Sequence, residues 1–245
     1  MIFTKKYTTK WHDTDASRRV RITKMLEYMQ ETSNAHMEQF GPSLDKLRDA
    51  HGLAFILSKT RMKIYQPIFA YEDITVETWT CEPRGFAIPR AYRILKNDTV
   101  VAEADTTWAL VDLNTKGPVK GLDGMAHYNF ENERTIDIDV PNRFKLPSST
   151  ELESLSIRRI VYSDLDYNMH MNNTKYTDML CDFIPLEDTQ RICGVLLSYV
   201  NEASFGDTLD VRHAYTDNAH YFRTVNTAEK ICLEAQLILK KEDTL

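Results

Sequence analysis

The same order of elements runs twice through this chain, and that repetition limits the folds open to it. A strand, a charged turn, a helix and a run of antiparallel strands precede residue 114, and the order returns after residue 152. The letters repeat too: Asp13-Thr14-Asp15 and Asp164-Leu165-Asp166 each stand between a strand and a helix, 151 residues apart. Similarity at one large offset indicates a duplicated domain rather than a solenoid of short repeats.

Hydrophobic periodicity supplies the elements. Residues 2–11 read as a strand. From 20 to 40 the pattern turns helical, with Met25, Leu26, Met29 and Thr32 at three- and four-residue spacings and Gly41 as a stop. A short helix is expected over 43–51. Strands rich in β-branched and aromatic residues follow at 53–66, 73–81, 87–95 and 99–113, separated by Pro67, Pro83-Arg84-Gly85 and Asn97-Asp98. Residues 114–150 hold Gly117, Pro118, Gly121, Gly124, Pro141 and Pro147 and read as a connection. Beyond it come a strand at 155–162, a helix at 173–183, and strands at 192–202, 208–215, 220–225 and 230–240. A helix with one apolar stripe and an antiparallel sheet bury each other when the sheet curls around the helix. The expectation is an α+β chain of two similar halves: 1–135, a linker at 136–152, and 153–245. The two sheets joining edge to edge would remove two exposed edges.

Composition excludes several classes. The hydrophobic fraction of 42% and charged fraction of 27% are ordinary for a globular protein. No run approaches the roughly 18 apolar residues of a membrane helix. The first residues lack an apolar h-region and the look of a transit peptide. Cys81, Cys181, Cys193 and Cys232 have no CxxC spacing, so neither a zinc site nor a disulfide framework is indicated. A reducing cytoplasm is the expected compartment. A net charge of −6 argues against a nucleic-acid partner.

The densest group of chemically able side chains is Ser163-Asp164-Leu165-Asp166-Tyr167-Asn168-Met169-His170-Met171-Asn172-Asn173. Asp166, Asn168 and His170 alternate, so in an extended segment they would share one side. Asn172 or Asn173 suits a helix N-cap, and the helix end behind it is a place for a developing oxyanion. The plainer reading of such a run is a capped loop. The matching first-half loop has Asp13 and Asp15, but Ser17 and Arg19 stand where Asn168 and His170 stand. The aspartates therefore have a structural share, and the Asn/His pair marks one half for chemistry.

The run Asp164-Leu165-Asp166-x-Asn168-x-His170-x-Asn172-Asn173-x-Lys175-Tyr176 resembles the signature of the acyl-acyl-carrier-protein thioesterases, in their bacterial form. The likeness extends through the N-terminal strand and helix, Trp79 and residues 102–108. It implies a tandem (double) hotdog fold, each half a long helix wrapped by an antiparallel sheet, with acyl-chain selection in the first half. It implies Asp166, Asn168 and His170 as active-site residues, and a glutamate on a later strand whose match is Glu202. Plant members place a cysteine after that glutamate; this chain has Ala203, which favours a carboxylate-and-water mechanism. In that scheme Glu202 is the general base, Asn168 holds the water, His170 polarises water or protonates the leaving thiolate, and Asp166 orients the pair or contacts the loop backbone. The implied partner is an acyl carrier protein with a phosphopantetheine-linked chain, met by a monomer or homodimer, with no metal, organic cofactor, nucleic acid or membrane. Basic Arg18, Arg19, Arg21 and Lys24 read as a solvated helix end, or by complementarity as a landing place for an acidic carrier. An acyl-CoA thioesterase, a hydroxyacyl-thioester dehydratase and a non-catalytic acyl-thioester binder share the residue types.

Overall fold

The computed structural model describes residues 1–120 and 136–240; the end of the expected first half, at 121–135, and the last five residues of the second lie outside the described residues. Two compact units divide the chain, one of Met1–Thr60 with Tyr65–Ile138, the other of Arg61–Ile64 with Asp139–Leu245.

In the first unit β1 (Phe3–Thr8) is followed by a 3-10 turn (Trp11–Asp13), helices α1 (Ile22–Phe40) and α2 (Leu44–His51), and strands β2 (Leu53–Ile64, of which Arg61–Ile64 count with the second unit), β3 (Asp73–Thr80), β4 (Ile88–Lys96), β5 (Thr99–Asp112) and the short β6 (Pro118–Val119). The order β1-β3-β4-β5 is antiparallel throughout, in the register Phe3↔Thr78, Thr78↔Tyr92 and Tyr92↔Ala104. Helix α1 buries Met25, Leu26, Met29, Thr32, Ser33, His36 and Met37, the stripe its spacing dictates, and packs on β1 and β3. Each such apolar side chain contributes about 1.5–3 kcal/mol by leaving water. Met37 belongs to a cluster with Leu47, Ile88 and Leu110, which ties α2 to the same core. Ser43 caps α2 by accepting from the Lys46 N–H, and Gly52, at φ 63°, closes its C-terminus in the left-handed conformation that a Cβ disfavours.

The second unit repeats this order. Strand β7 (Glu153–Arg159) leads to a 3-10 turn (Tyr162–Asp164), helix α3 (Lys175–Cys181), the single-turn α4 (Leu186–Thr189), and strands β8 (Ile192–Tyr199), β9 (Thr208–Thr216), β10 (Ala219–Asn226) and β11 (Ile231–Leu239). The order is β8-β11-β10-β9-β7, again antiparallel. The fully buried Met179, Leu180, Val195, Leu197, Leu209, Phe222 and Leu233 form its core. Helix α3 is seven residues long, shorter than its sequence pattern suggests. Asn172 holds the preceding residues in a turn, and Pro185 disfavours helical backbone at the residue before it. Among the described residues no helix is long and apolar enough to cross a membrane.

Candidate active site

The loop from Asp166 to His170 is a tight turn, not the extended segment that alternation suggested. The Asp166 N–H donates to the His170 carbonyl at 2.8 Å, and the Met169 N–H donates back to the Asp166 carbonyl at 3.2 Å. Met169 takes a left-handed φ of 65°, which costs a non-glycine residue on the order of 1 kcal/mol. The Asp166 carboxylate offsets that cost: its Oδ1 accepts the N–H of Asn168 at 2.8 Å and of His170 at 3.2 Å. Asp166 thus serves the backbone of the turn, one of the two roles the sequence left open.

Glu202 lies in the loop after β8 rather than on the strand. The Val200 and Asn201 N–H groups both point to the Cys232 carbonyl, at 2.9 and 3.4 Å, and this doubling ends the regular ladder. The loop is then stitched to the turn, because the Met171 N–H donates to Ala203 O at 2.8 Å and the Phe205 N–H to Met169 O at 3.1 Å. These bonds bring His170 Nε2 to 3.5 Å from Glu202 Oε2, with the imidazole 29% and the carboxylate 60% exposed. Asn168 is exposed, two residues before His170 in the same turn.

The N-cap expectation is corrected: Thr174 is the N-cap of α3, without a side-chain cap bond, and Asn172 acts two residues earlier. Asn172 Oδ1 accepts the Thr174 N–H at 3.0 Å, and its carbonyl accepts the Lys175 N–H at 2.9 Å. Those two donors are occupied, so the start of the short α3 does not present them to an oxyanion.

Underneath, Asp164 is buried and held by Arg158 through two bonds, Nη2 to Oδ1 at 2.6 Å and Nη1 to Oδ2 at 3.1 Å, while its Oδ2 also accepts the Val161 N–H at 2.9 Å. A buried carboxylate needs such partners.

The first unit holds the same frame around different side chains. Asp15 Oδ1 accepts from the N–H of Ser17 at 2.8 Å and of Arg19 at 3.2 Å, and Arg18 has φ 66°. Val20 N–H donates to Ile68 O at 2.8 Å, the counterpart of Met171 to Ala203. Tyr65 and Gln66 both donate to Val101 O, as Val200 and Asn201 do to Cys232 O. By this correspondence Arg19 replaces His170, Ser17 replaces Asn168 and Pro67 replaces Glu202. Buried Asp13 takes the place of Asp164, accepting from the Lys10 N–H at 2.7 Å and the Tyr28 hydroxyl at 2.5 Å. Burial, reinforced by that carboxylate, pushes the Tyr28 phenol well above its ordinary pKa.

Side chains elsewhere in the first unit find structural partners. Buried His36 stacks on Phe3, and the guanidinium of Arg90, which can only donate, lies 3.2 Å from its Nδ1. Met29 and Trp79 are core residues, and exposed His12 lies in the 3-10 turn. Lys24 pairs with Glu27, and Arg21 Nη2 donates to His12 O at 3.3 Å. Sequence reasoning missed the contacts of Asn201 and Cys232 behind Glu202. It also missed a chain in which Asp188 Oδ2 lies 3.1 Å from His220 Nε2, and His220 Nδ1 2.9 Å from His213 Nε2. The Asn201, Cys232 and Asp188 contacts each cross about thirty residues, so no local spacing signals them, and the His213–His220 pair depends on the register of β9 against β10. Among the described residues no cluster of three or more metal-ligating side chains occurs.

Comparisons with known proteins identify the family and the fold. The family model of the acyl-ACP thioesterase N-terminal domain matches residues 1–127, and that of the acyl-ACP thioesterase C-terminal domain matches 148–242. The chain belongs to the acyl-ACP thioesterase family. An acyl-[acyl-carrier-protein] hydrolase of Cuphea viscosissima is 23% identical over 86% of this chain and 54% of its own length. The oleoyl-acyl carrier protein thioesterase 1 of Arabidopsis thaliana is 23% identical over 85% of this chain and 62% of its own length. The chain thus spans roughly half to three fifths of such relatives. The crystal structure of an acyl-ACP thioesterase from Bacteroides thetaiotaomicron matches with a TM-score of 0.87, 21% identity and 98% coverage of both chains. The 12:0-ACP thioesterase of Umbellularia californica matches with a TM-score of 0.81 at 16% identity, again with 98% coverage of both. The fold is the α+β double hotdog.

Proposed function

We propose that this chain hydrolyses fatty acyl thioesters of acyl carrier protein, releasing free fatty acid and the carrier's pantetheine thiol. The observation that carries the reading is the His170–Glu202 pair, 3.5 Å apart, on a frame whose first-unit copy has Arg19 and Pro67 instead. A purely structural loop has no use for that difference, since the backbone is the same in both.

The chemistry follows from the groups. Glu202, an exposed carboxylate, takes a proton from a water that the Asn168 amide holds. The resulting hydroxide attacks the thioester carbonyl, forming the C–O bond. Collapse of the tetrahedral adduct breaks the C–S bond, and His170 supplies the proton that the thiolate takes up. Asp166 acts through the turn, as a positioning residue. The 3.5 Å separation is longer than a strong hydrogen bond, as is common before substrate tightens a site. Ala203 stands where plant members carry cysteine, and burial pushes the neighbouring Cys232 thiol up to about 11, so neither position offers a thiolate nucleophile.

The test is steady-state hydrolysis of a panel of acyl-carrier-protein and acyl-CoA thioesters, with His170→Ala alongside. Free acid from carrier substrates, lost in the variant, is the expected result. Release from CoA esters alone would move the substrate class, and an enoyl thioester product would move the reaction to dehydration.

A further inference from the structure

We infer that Asn201 is a positioning residue for Glu202, clamping the loop that carries the carboxylate to the start of β11. This rests on the function proposed above and adds a residue that acts on its proposed base.

Asn201 immediately precedes Glu202, and its Nδ2 donates to the Ile231 carbonyl at 2.7 Å. Its own N–H reaches the next carbonyl, that of Cys232, at 3.4 Å, beside the 2.9 Å bond from Val200. The residue thus grips two successive carbonyls of the neighbouring chain. From the other side the Cys232 thiol lies 3.7 Å from the Glu202 carbonyl and 3.8 Å from that of Lys230. Burial keeps that thiol protonated and therefore a donor. Glu202 is accordingly flanked by ties to β11, from the Asn201 side chain before it and at its own carbonyl after it.

The first unit provides an internal control. There the paired backbone bonds recur, from Tyr65 and Gln66 to Val101 O, at 2.8 and 3.3 Å. Val101 has no side-chain donor, and the residue in the place of Glu202 is Pro67. The bonds common to both units make the fold of the loop. The thiol contact belongs to the unit whose loop carries a carboxylate that must meet a partner 3.5 Å away. Exposed Glu202 has a long side chain with several rotamers, so fixing its backbone narrows the space it samples. A displacement of about 1 Å at a reacting group can cost on the order of 100-fold in rate.

The test is a double-mutant cycle between Asn201→Ala and Glu202→Gln in the full chain, read as kcat and KM on an acyl-carrier-protein thioester. Gln66→Ala serves as control, and hydrogen exchange of the amides at 200–205 is followed in parallel. Asn201→Ala is expected to lower kcat about tenfold with KM unchanged, and less than twofold when Glu202 is already Gln, because coupled residues are not additive. Exchange at 200–205 should quicken in Asn201→Ala and not in Gln66→Ala. Additive losses in the cycle, or quickened exchange with wild-type kcat, would overturn the positioning role. Unchanged exchange and unchanged kcat would overturn the clamp itself. A wild-type chain that cleaves no thioester fails the earlier panel, so loss of the proposed function is seen before any Asn201 variant is made.

Discussion

Arg19 and His170 hold the same place in two copies of one turn: each donates its N–H to the Oδ1 of an aspartate four residues earlier at 3.2 Å. Each also returns its carbonyl to that aspartate's N–H, at 2.9 and 2.8 Å. The aspartate makes the turn, and the fourth residue after it is free to differ.

This relationship separates two aspartates by consequence. Asp166→Ala should lower kcat about 10- to 100-fold by releasing the turn under His170. Asp166→Asn keeps an acceptor oxygen and should retain most activity. Asp15→Ala should leave kcat within twofold while lowering stability by about 1 kcal/mol, the net worth of such bonds. Kinetics and urea denaturation on the three variants check this.

Glu202→Gln removes a base while preserving shape. A loss of about 10²–10⁴ in kcat is expected if the carboxylate takes the water's proton. Activity within a few-fold of wild type would remove Glu202 from the reaction.

The two buried aspartates differ in their partners, and their variants should differ in cost. Arg158→Met removes the countercharge and both guanidinium bonds of buried Asp164, leaving it only the Val161 N–H, and should cost about 3–5 kcal/mol. Tyr28→Phe leaves Asp13 its bond from the Lys10 N–H and should cost about 1–3 kcal/mol. Urea midpoints of the two variants rank them.

Acid should weaken the fold through two histidines. Burial first, then Arg90 and the chain's N-terminus, lower His36 to about 4, and burial with His220 lowers His213 to about 4. Their ordinary value is near 6.5, so between pH 6.5 and 4 the unfolded chain binds more protons than the folded one. Stability is fully present above pH 6.5 and declines as the pH falls toward 4, by at most about 3 kcal/mol for each group. His36→Gln and His213→Gln should each flatten that decline. Denaturation at pH 7 and pH 4.5 measures it.

Much of the fold is legible in the sequence because strand alternation and the α1 stripe report burial directly. Strands β3, β5 and β9 fall within a residue or two of their patterns. Two features of the site were not legible. Met169 takes positive φ without being glycine, so nothing in the letters separates a turn from an extended run at 166–170. The end of β8 at Tyr199 depends on the Cys232 carbonyl receiving two N–H groups, a contact from a strand some thirty residues later. The residue types in the site, by contrast, were visible because the first unit lacks them at the same positions.

The aspartate clasp and the cross-loop bonds are made by backbone groups and one carboxylate, and none of them uses a side chain of position 168, 170 or 202. Under the proposed function, reactivity is a replaceable load on a scaffold that stands without it. Drift at those positions can erase chemistry with little folding penalty, as Ser17, Arg19 and Pro67 illustrate. The reverse route is open by the same reasoning, since a silent copy of the frame is three substitutions from carrying the same side chains.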